Sequence, residues 1–70
     1  MQKLGEKLRT LRKQRGLTLR ELALELNTNS YSYLGKIETG KRTPSAKMIF
    51  KIAKFFGVST DQLMDDELEL

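Results

Sequence analysis

Residues 17–38, with the sequence LTLRELALELNTNSYSYLGKIE, constrain the fold most, because they describe two short helices joined by a tight turn. Thr18 is followed three residues later by Glu21, the spacing of a capping box in which each side chain satisfies a free backbone N–H of the other residue. An apolar stripe at helical spacing follows, and it stops at residues 27–30, which favour turns and helix caps. The stripe consists of Leu22, Ala23 and Leu26.

The second helix of this pair is predicted to begin after Ser30 as its N-cap and to extend to about residue 39. Leu34 and Ile37 then face inward, and the opposite side of the helix is polar and cationic. A short helix that rests on a neighbour and exposes such a side is the shape that enters the major groove of DNA. The outward positions are Tyr31, Ser32, Gly35 and Lys36.

Three more helices are predicted around the pair, which makes the chain all-α with five helices. The first covers residues 3–15, the fourth runs from Pro44 or Ser45 to Phe56, and Ser59 caps a short fifth helix. Apolar positions at helical spacing predict the inner faces of the first and fourth helices. These positions are Leu4, Leu8, Leu11, Ile49, Ile52, Ala53 and Phe56.

The charge of the chain is unevenly distributed. All 13 lysines and arginines and only four of the nine acidic residues lie in residues 1–60, which carry a net charge of +9, although the whole chain carries +4. A basic body attracts polyanions, nucleic acid above all, although the same charge also serves a merely soluble surface. The domain is placed at residues 1–64, and the acidic tail 65–70 is expected to fray and to face away from DNA or contact a partner.

Composition excludes several function classes. The chain contains no cysteine and no histidine, which removes thiol chemistry, Cys/His zinc sites and the commonest general base. No nucleophile–base pair or glycine-rich phosphate loop occurs, so neither an enzyme nor a bound metal or cofactor is expected. No apolar run approaches a membrane span and no signal segment precedes the first helix, so no membrane partner and a cytoplasmic location are expected.

Three segments carry a resemblance to a known family: residues 4–23 (LGEKLRTLRKQRGLTLRELA), 35–45 (GKIETGKRTPS) and 51–64 (KIAKFFGVSTDQLM). In order and spacing they resemble the lambda-repressor/Cro-like helix-turn-helix proteins of bacteria and phages, the XRE family. The resemblance covers about nine-tenths of the chain. It implies a compact five-helix domain that binds operator DNA, commonly as a homodimer on inverted repeats.

Two features depart from the family pattern. Leu19 occupies the position where the family usually has a glutamine that touches a phosphate and braces the recognition helix, so one DNA contact is missing. The turn over residues 27–30 is one residue longer than usual, and placing the cap at Ser30 restores Leu34 and Ile37 to the core.

The register of the second helix in the pair assigns the candidate DNA contacts. The base contacts are Tyr31, Ser32 and Lys36, of which Lys36 suits guanine O6 and N7. Lys41 and Arg42 follow in a loop that lies along the phosphate backbone in the family, beside exposed N–H groups of a glycine turn. The full set of candidate phosphate contacts is Asn29, Ser30, Tyr33, Gly35, Lys41, Arg42, Arg20 and Lys13. The alternatives are packing of the tyrosines on a neighbouring helix and, for the glycine, a local weakness of the helix.

The resemblance also assigns two structural roles. In the family, the residues that match Arg12 and Glu38 form a partly buried ion pair that fixes the recognition helix, so the same pair is expected here. Family members often form dimers near the fourth helix, where Phe50 and Phe55 lie off the main apolar stripe and either enlarge the core or form a dimer patch. The candidate dimer contacts are Phe50, Phe55, Met64 and Leu68, with Met48 and Leu70 as further contributors.

Two functions are consistent with these features. The first is a sequence-specific regulator of transcription, a repressor, that binds a palindromic operator in double-stranded DNA as a homodimer through residues 30–39. The alternative is an antitoxin or protein-interaction adaptor that uses the same fold to bind a partner such as a toxin through the acidic tail or the Phe50 and Phe55 face. The glutamine missing at Leu19 favours the adaptor, the basic body and loop favour DNA, and both functions can coexist in one protein.

Overall fold

Five α-helices and no strand form the structure, a computed structural model that describes all 70 residues. The helices are α1 (Leu4–Gln14), α2 (Leu19–Glu25), α3 (Tyr31–Glu38), α4 (Ala46–Phe56) and α5 (Thr60–Met64). The predicted all-α, five-helix class is therefore confirmed, and the predicted helix–turn–helix pair corresponds to α2 and α3. None of the helices has the length and apolar composition that a bilayer crossing requires.

Polar side chains at the helix starts explain where α2 to α5 begin. Thr18 Oγ1 accepts the Glu21 N–H at 3.1 Å while Glu21 Oε1 accepts the Thr18 N–H at 2.9 Å, so the predicted capping box is present. These hydrogen bonds with Thr18 lower the pKa of the Glu21 carboxyl because they stabilise its charged form. Ser30, Ser45 and Ser59 each accept a backbone N–H in the first turn of the three later helices.

The turn between α2 and α3 is closed by backbone hydrogen bonds. Asn27 adopts a left-handed conformation with φ of +55°, the only positive φ outside glycine. Its N–H donates to Leu24 O at 3.1 Å, and the Thr28 N–H donates to Ala23 O at 2.9 Å. This is a Schellman-type helix end, in which asparagine takes the place usually held by glycine. It ends α2 and leads the chain into the Ser30 cap of α3.

One apolar core holds the five helices together. Every inner position predicted from helical spacing is buried in it. Met48 is also buried, at 8% exposed, although the sequence suggested a dimer contact; it precedes Ile52 by four residues and so shares its inward face. The buried apolar residues are Leu4, Leu8, Leu11, Leu22, Ala23, Leu26, Leu34, Ile37, Met48, Ile49, Ile52, Ala53, Phe56 and Leu63.

Helix α1 lies unusually close to the carboxyl end of α3 at Gly5. A Cβ atom at this position would lie 2.5 Å from Ile37 O and 2.6 Å from Glu38 O, so a side chain fits only if backbone moves. Gly5 was not among the residues singled out from the sequence. The sequence does contain a signal for this close contact: a glycine inside the apolar stripe of a helix, here between Leu4 and Leu8, usually indicates close packing against a neighbour.

The Arg12 side chain joins α1 to the end of α3 and to the segment that leads into α2. Its Nε donates to Glu38 Oε2 at 2.7 Å and its Nη2 donates to Glu38 Oε1 at 3.1 Å, a two-point contact. Its Nη1 donates to Leu17 O at 2.7 Å. The Arg12 and Glu38 side chains are only 13% and 6% exposed. Because the pair is largely removed from water, either partner alone would be a costly buried charge.

The acidic segment after α5 packs against α1, whereas the sequence predicted a frayed end. The Asp66 carboxylate accepts the backbone N–H groups of Gln2 and Lys3, both at 2.9 Å. Lys3 is the N-cap of α1, but its side chain makes no capping hydrogen bond, so Asp66 supplies the cap from the far end of the chain. The charged Met1 amino group lies 3.5 Å from the same carboxylate.

A buried lysine completes this contact between α1 and the carboxyl-terminal segment. Lys7 is 7% exposed, and its Nζ donates to Gln62 O, to Asp65 O at 2.9 Å and to Leu68 O at 2.8 Å. Three carbonyl oxygens thus satisfy the three donors of the ammonium group. These contacts join residues 55 to 64 positions apart, beyond the reach of any local sequence pattern. The hydrogen bonds of Asp66 and Lys7 are called the terminal seam below.

Replacing Gly5 with alanine is expected to destabilise the fold by about 1–3 kcal/mol, the usual cost of overpacking a tight site. The added methyl group would overlap two backbone oxygens at the end of α3, and backbone is harder to displace than a side chain. Urea unfolding followed by circular dichroism measures the change.

Gly35→Ala is the matched control for this substitution. A Cβ atom at Gly35 meets only Leu19 Cδ1, at 3.4 Å, and alanine favours a helix interior over glycine by about 1 kcal/mol. This variant is expected to be at least as stable as the parent protein. Equal stability of the Gly5 and Gly35 variants would contradict the close contact between α1 and α3.

Arg12→Ala is expected to lower the free energy of unfolding by about 3–5 kcal/mol, because it leaves the Glu38 carboxylate buried without its partner. Thermal and urea unfolding measure the loss. Arg12→Met combined with Glu38→Leu removes both charges and is expected to recover most of the stability. A double variant as unstable as the single one would show that the stranded charge is not the cause.

The pKa of Asp66 is lowered from its usual 3.8 because the carboxylate accepts the Lys3 and Gln2 N–H groups. Such a carboxyl stabilises the fold above its ordinary pKa, and the contribution is lost as the pH falls through the lowered value. In an NMR titration the amide protons of Gln2 and Lys3 are expected to shift together below pH 3.8. Asp66→Asn is expected to abolish this shared transition, and its persistence in that variant would contradict the capping role.

Candidate nucleic-acid interface

The two sides of α3 differ in exposure. Leu34 and Ile37 are 0% and 2% exposed and form its inner side. Tyr31, Ser32 and Lys36, the residues predicted to contact bases, are all exposed, and Tyr31 is 43% exposed. The helix therefore presents a polar and cationic side to solvent along its eight residues.

Apolar packing braces the start of α2 against α3. Leu19 is half-buried against the core, and its Cδ1 lies 3.4 Å from the place that a Cβ of Gly35 would occupy. Where the family pattern has glutamine, this chain has an apolar brace with no group to offer a phosphate. Gly35 is partly exposed, and no close contact within the protein requires a glycine there.

A second link between α2 and α3 is polar. The Arg20 guanidinium carbon lies 4.7 Å from the centre of the Tyr31 ring, a cation–π contact, and Arg20 Nη2 donates to the Tyr31 hydroxyl at 3.2 Å. Both residues are exposed, and they join the first turn of α2 to the first residue of α3. Arg20, predicted as a phosphate contact, therefore lies against a predicted base contact.

Tyr33 is arranged differently from the other tyrosine of α3. It is half-buried against the core, and its hydroxyl accepts the Ser45 N–H at 3.2 Å, which ties α3 to the start of α4. The Arg42 guanidinium carbon lies 5.5 Å from the Tyr33 ring centre. A shallow, basic depression of about 360 Å³ opens beside this ring on the outer side of α3. Its lining consists of Ser30, Ser32, Tyr33, Lys36 and Arg42.

The loop after α3 carries two exposed basic side chains, Lys41 and Arg42. Their backbone N–H groups both donate to Lys36 O, at 2.8 and 3.2 Å, and the Gly40 N–H donates to Ile37 O at 3.1 Å. The glycine turn thus closes the end of α3, and the prediction that its N–H groups form an anion site is wrong. The side chains of Lys41 and Arg42 are therefore the candidates for an anion contact at this loop.

The remaining predicted phosphate contacts lie near helix ends. Asn29 and Ser30 are exposed just before α3, and Lys13 is exposed in the last turn of α1. Ser30 Oγ already accepts the Tyr33 N–H at 3.2 Å. No group of histidine, cysteine, aspartate or glutamate side chains suitable for a metal ion occurs in the structure.

The predicted dimer residues divide between surface and core. Phe50 on α4 is 65% exposed and Leu68 is 43% exposed, whereas Phe55 and Met64 are half-buried against the core. Leu24, at 79% exposed, is more exposed than any of them. It was missed from the sequence because it lies off the inner stripe of α2, where single apolar residues are common on any surface.

Comparison with known proteins agrees with this geometry. A family profile described as helix-turn-helix matches residues 8–63, which include all of α2 and α3. An uncharacterised HTH-type transcriptional regulator of Methanocaldococcus jannaschii is 42% identical over 64 residues, and the alignment covers 87% of this chain and 96% of that protein.

Two solved structures have the same fold. The N-terminal DNA-binding domain of SinR from Bacillus subtilis matches with a TM-score of 0.85 and 30% identity, over 99% of this chain and 100% of that one. The restriction-modification controller protein C.AhdI from Aeromonas hydrophila matches with a TM-score of 0.78 and 33% identity, over 90% and 94% of the two chains. The chain belongs to the lambda-repressor/Cro-like, or XRE-type, helix-turn-helix family of DNA-binding transcriptional regulators.

Proposed function

We propose that this protein is a repressor that binds one specific operator sequence in double-stranded DNA by inserting the outer side of α3 into the major groove. One observation carries the proposal: Tyr31, Ser32 and Lys36 are exposed on a helix whose opposite side, Leu34 and Ile37, is buried. The inner side holds the helix in place, so the outer side is free to meet a duplex. The proposed site of action is the cytoplasm of a bacterial or phage-infected cell.

Most of the binding energy in this proposal comes from phosphates. The net charge of +9 on residues 1–60 attracts the duplex, and each phosphate that is neutralised releases a counterion. Lys41 and Arg42 are the main candidates, because both are exposed beside the carboxyl end of α3. The further candidates are Lys13, Arg20, Asn29, Ser30, Tyr33 and Gly35.

Base contacts supply the specificity. Lys36 is exposed one turn beyond the start of α3 and suits guanine O6 and N7, the usual partners of a lysine in the major groove. Ser32 and Tyr31 lie in the first turn, which normally goes deepest into the groove. Ser32 suits either a donor or an acceptor on a base edge.

A homodimer on a palindromic operator completes the proposal. Eight residues of recognition helix contact few base pairs, and two copies about one helical turn apart double the number that is read. Phe50 is the best candidate for the dimer surface because it is 65% exposed on α4. Leu68, Phe55 and Met64 are further candidates, of which the last two are half-buried.

An antitoxin or protein-interaction adaptor remains the second candidate. It is supported by two large apolar side chains without partners, Leu24 at 79% and Phe50 at 65% exposed. The acidic segment offers less support than it did from sequence, since Asp66 and the carbonyls bound by Lys7 already have partners within the chain. A partner such as a toxin would therefore be expected on the apolar side chains.

Selection of bound duplexes from a random pool, followed by binding titrations at several salt concentrations, tests the proposal. For the parent protein, log K is expected to fall linearly with log salt, with a slope of about −0.9 per phosphate neutralised. Lys41→Ala and Arg42→Ala are expected to weaken all duplexes alike and to flatten the slope. Lys36→Ala is expected to lose about 1–3 kcal/mol of discrimination at one base pair.

Lys47→Ala on α4 is the matched control, since it removes an exposed positive charge outside the proposed contacts. It is expected to change affinity less than the loop variants and to leave the preferred sequence unchanged. Absence of salt dependence in the parent protein would contradict DNA binding and favour the adaptor. An unchanged preferred sequence in Lys36→Ala would contradict its role in base recognition.

A further inference from the structure

Two arginine–tyrosine stacks lie on the proposed DNA-binding surface. Arg20 of α2 covers the Tyr31 ring at 4.7 Å, and Arg42 of the loop after α3 lies 5.5 Å from the Tyr33 ring. Each arginine belongs to a different segment from the tyrosine it covers. Both stacks involve the first turn of α3, one with an arginine from the helix before it and one with an arginine from the loop after it.

The hydroxyl groups of the two tyrosines are in different situations. The Tyr33 hydroxyl accepts the Ser45 N–H and belongs to a half-buried side chain, so it links α3 to α4. The Tyr31 hydroxyl accepts only from Arg20 Nη2, and Tyr31 is 43% exposed. Tyr33 is thus fixed by a hydrogen bond within the fold, whereas Tyr31 contacts one exposed arginine and remains accessible to a ligand.

We propose that Arg20 is a positioning residue for Tyr31, and that the two side chains act as one unit that recognises a hydrogen-bond acceptor on a base in the major groove. This inference rests on the proposed function, because it assumes that α3 reads DNA. It goes beyond it by giving Arg20 a part in base recognition rather than in phosphate binding alone. It also assigns the chemical group that Tyr31 recognises.

The hydrogen bond from Arg20 favours the Tyr31 hydroxyl as a donor toward a base. The Arg20 N–H occupies a lone pair of the hydroxyl oxygen, so the phenolic proton points elsewhere and is available to an acceptor. In the major groove the acceptors are N7 of purines, O6 of guanine and O4 of thymine, whereas the cytosine N4 amino group is a donor. The Tyr31 position is therefore expected to disfavour cytosine N4.

Stacking also fixes the ring before DNA arrives. A tyrosine at the first position of a helix otherwise loses rotamer freedom when it enters a groove, and that loss weakens binding. The guanidinium lies over the Tyr31 ring, and the residue as a whole remains 43% exposed. Leu19, the residue before Arg20, makes only an apolar contact with Gly35, so Arg20 provides the polar link between the two helices.

A double-mutant cycle on the selected operator tests the inference. Tyr31→Phe keeps the ring and removes the hydroxyl, and it is expected to relax the preference at one base pair. Arg20→Met is expected to relax the preference at the same base pair by about two- to fivefold, the range of an exposed cation–π contact. The double variant is expected to discriminate no worse than Tyr31→Phe alone, because both substitutions disable one unit.

Arg42→Met is the matched control, because it also removes an arginine that covers a tyrosine ring. It is expected to weaken all duplexes by one factor, without changing any base preference. The same behaviour in Arg20→Met, with effects that add to those of Tyr31→Phe, would overturn the inference and make Arg20 a phosphate contact only. If the parent protein discriminates among no duplexes at all, the proposed function fails as well, which separates the two outcomes.

The free protein provides a second readout. In the stacked arrangement, the ring current of Tyr31 is expected to move the Arg20 side-chain protons upfield in the NMR spectrum. Tyr31→Ala is expected to return these protons to ordinary positions while the circular dichroism spectrum keeps its helical form. Ordinary Arg20 shifts in the folded parent protein would overturn the stacked unit without reference to DNA.

Discussion

The ion pair between Arg12 and Glu38 fixes the end of α3, the helix that carries every proposed base contact. Helix α3 has eight residues, too few to be stable in isolation, so its orientation comes from its neighbours. The guanidinium of Arg12 holds the end of α3 at two points and the carbonyl of Leu17 at a third. Gly5 lets α1 approach the same end of α3 closely enough for this contact. A substitution on α1 is therefore expected to alter the position of the proposed DNA-binding side of α3 without contacting it.

Helix α3 is also held by α2, and here the contacts are of a different chemical kind. Leu19 gives α2 an apolar contact with Gly35, and Arg20 adds a polar contact with Tyr31. The family commonly has a glutamine at the position of Leu19, which both braces the recognition helix and contacts a phosphate. In this chain Leu19 makes the bracing contact, and the neighbouring Arg20 makes the polar one. The apolar residue stabilises the helix pair, and the charged residue remains in contact with solvent and with the first residue of α3.

Local sequence patterns were sufficient for most of the fold. The capping box of Thr18 and the serine cap at Ser30 involve residues three apart, so their geometry is encoded within one helical turn. The outer side of α3 followed directly from the burial of Leu34 and Ile37. Local patterns could not predict where one element meets a distant one, which depends on three-dimensional packing. The contact between Arg12 and Glu38 was expected only because of the family resemblance.

Three features illustrate this limit. The need for a glycine at position 5 comes from carbonyl oxygens more than 30 residues away in the sequence. The capping role of Asp66 depends on N–H groups near the beginning of the chain. The pairing of Arg20 with Tyr31 spans the turn between two helices, and periodicity describes each helix but not their relative rotation. Met48 is a different case, because its spacing of four residues from Ile52 was itself sufficient to predict its place in the core.

The terminal seam has a consequence for how the chain is made. Asp66 and the carbonyl of Leu68, which hold the beginning of α1, are synthesised after all five helices. During translation the first turn of α1 therefore lacks its cap until Asp66 leaves the ribosome. Lys7 likewise lacks its carbonyl partners until the residues up to Leu68 have emerged. Closing a loop of this length has an entropic cost, which prior packing of the helices reduces by bringing the two ends together. The seam is thus expected to be the final part of a newly made molecule to settle.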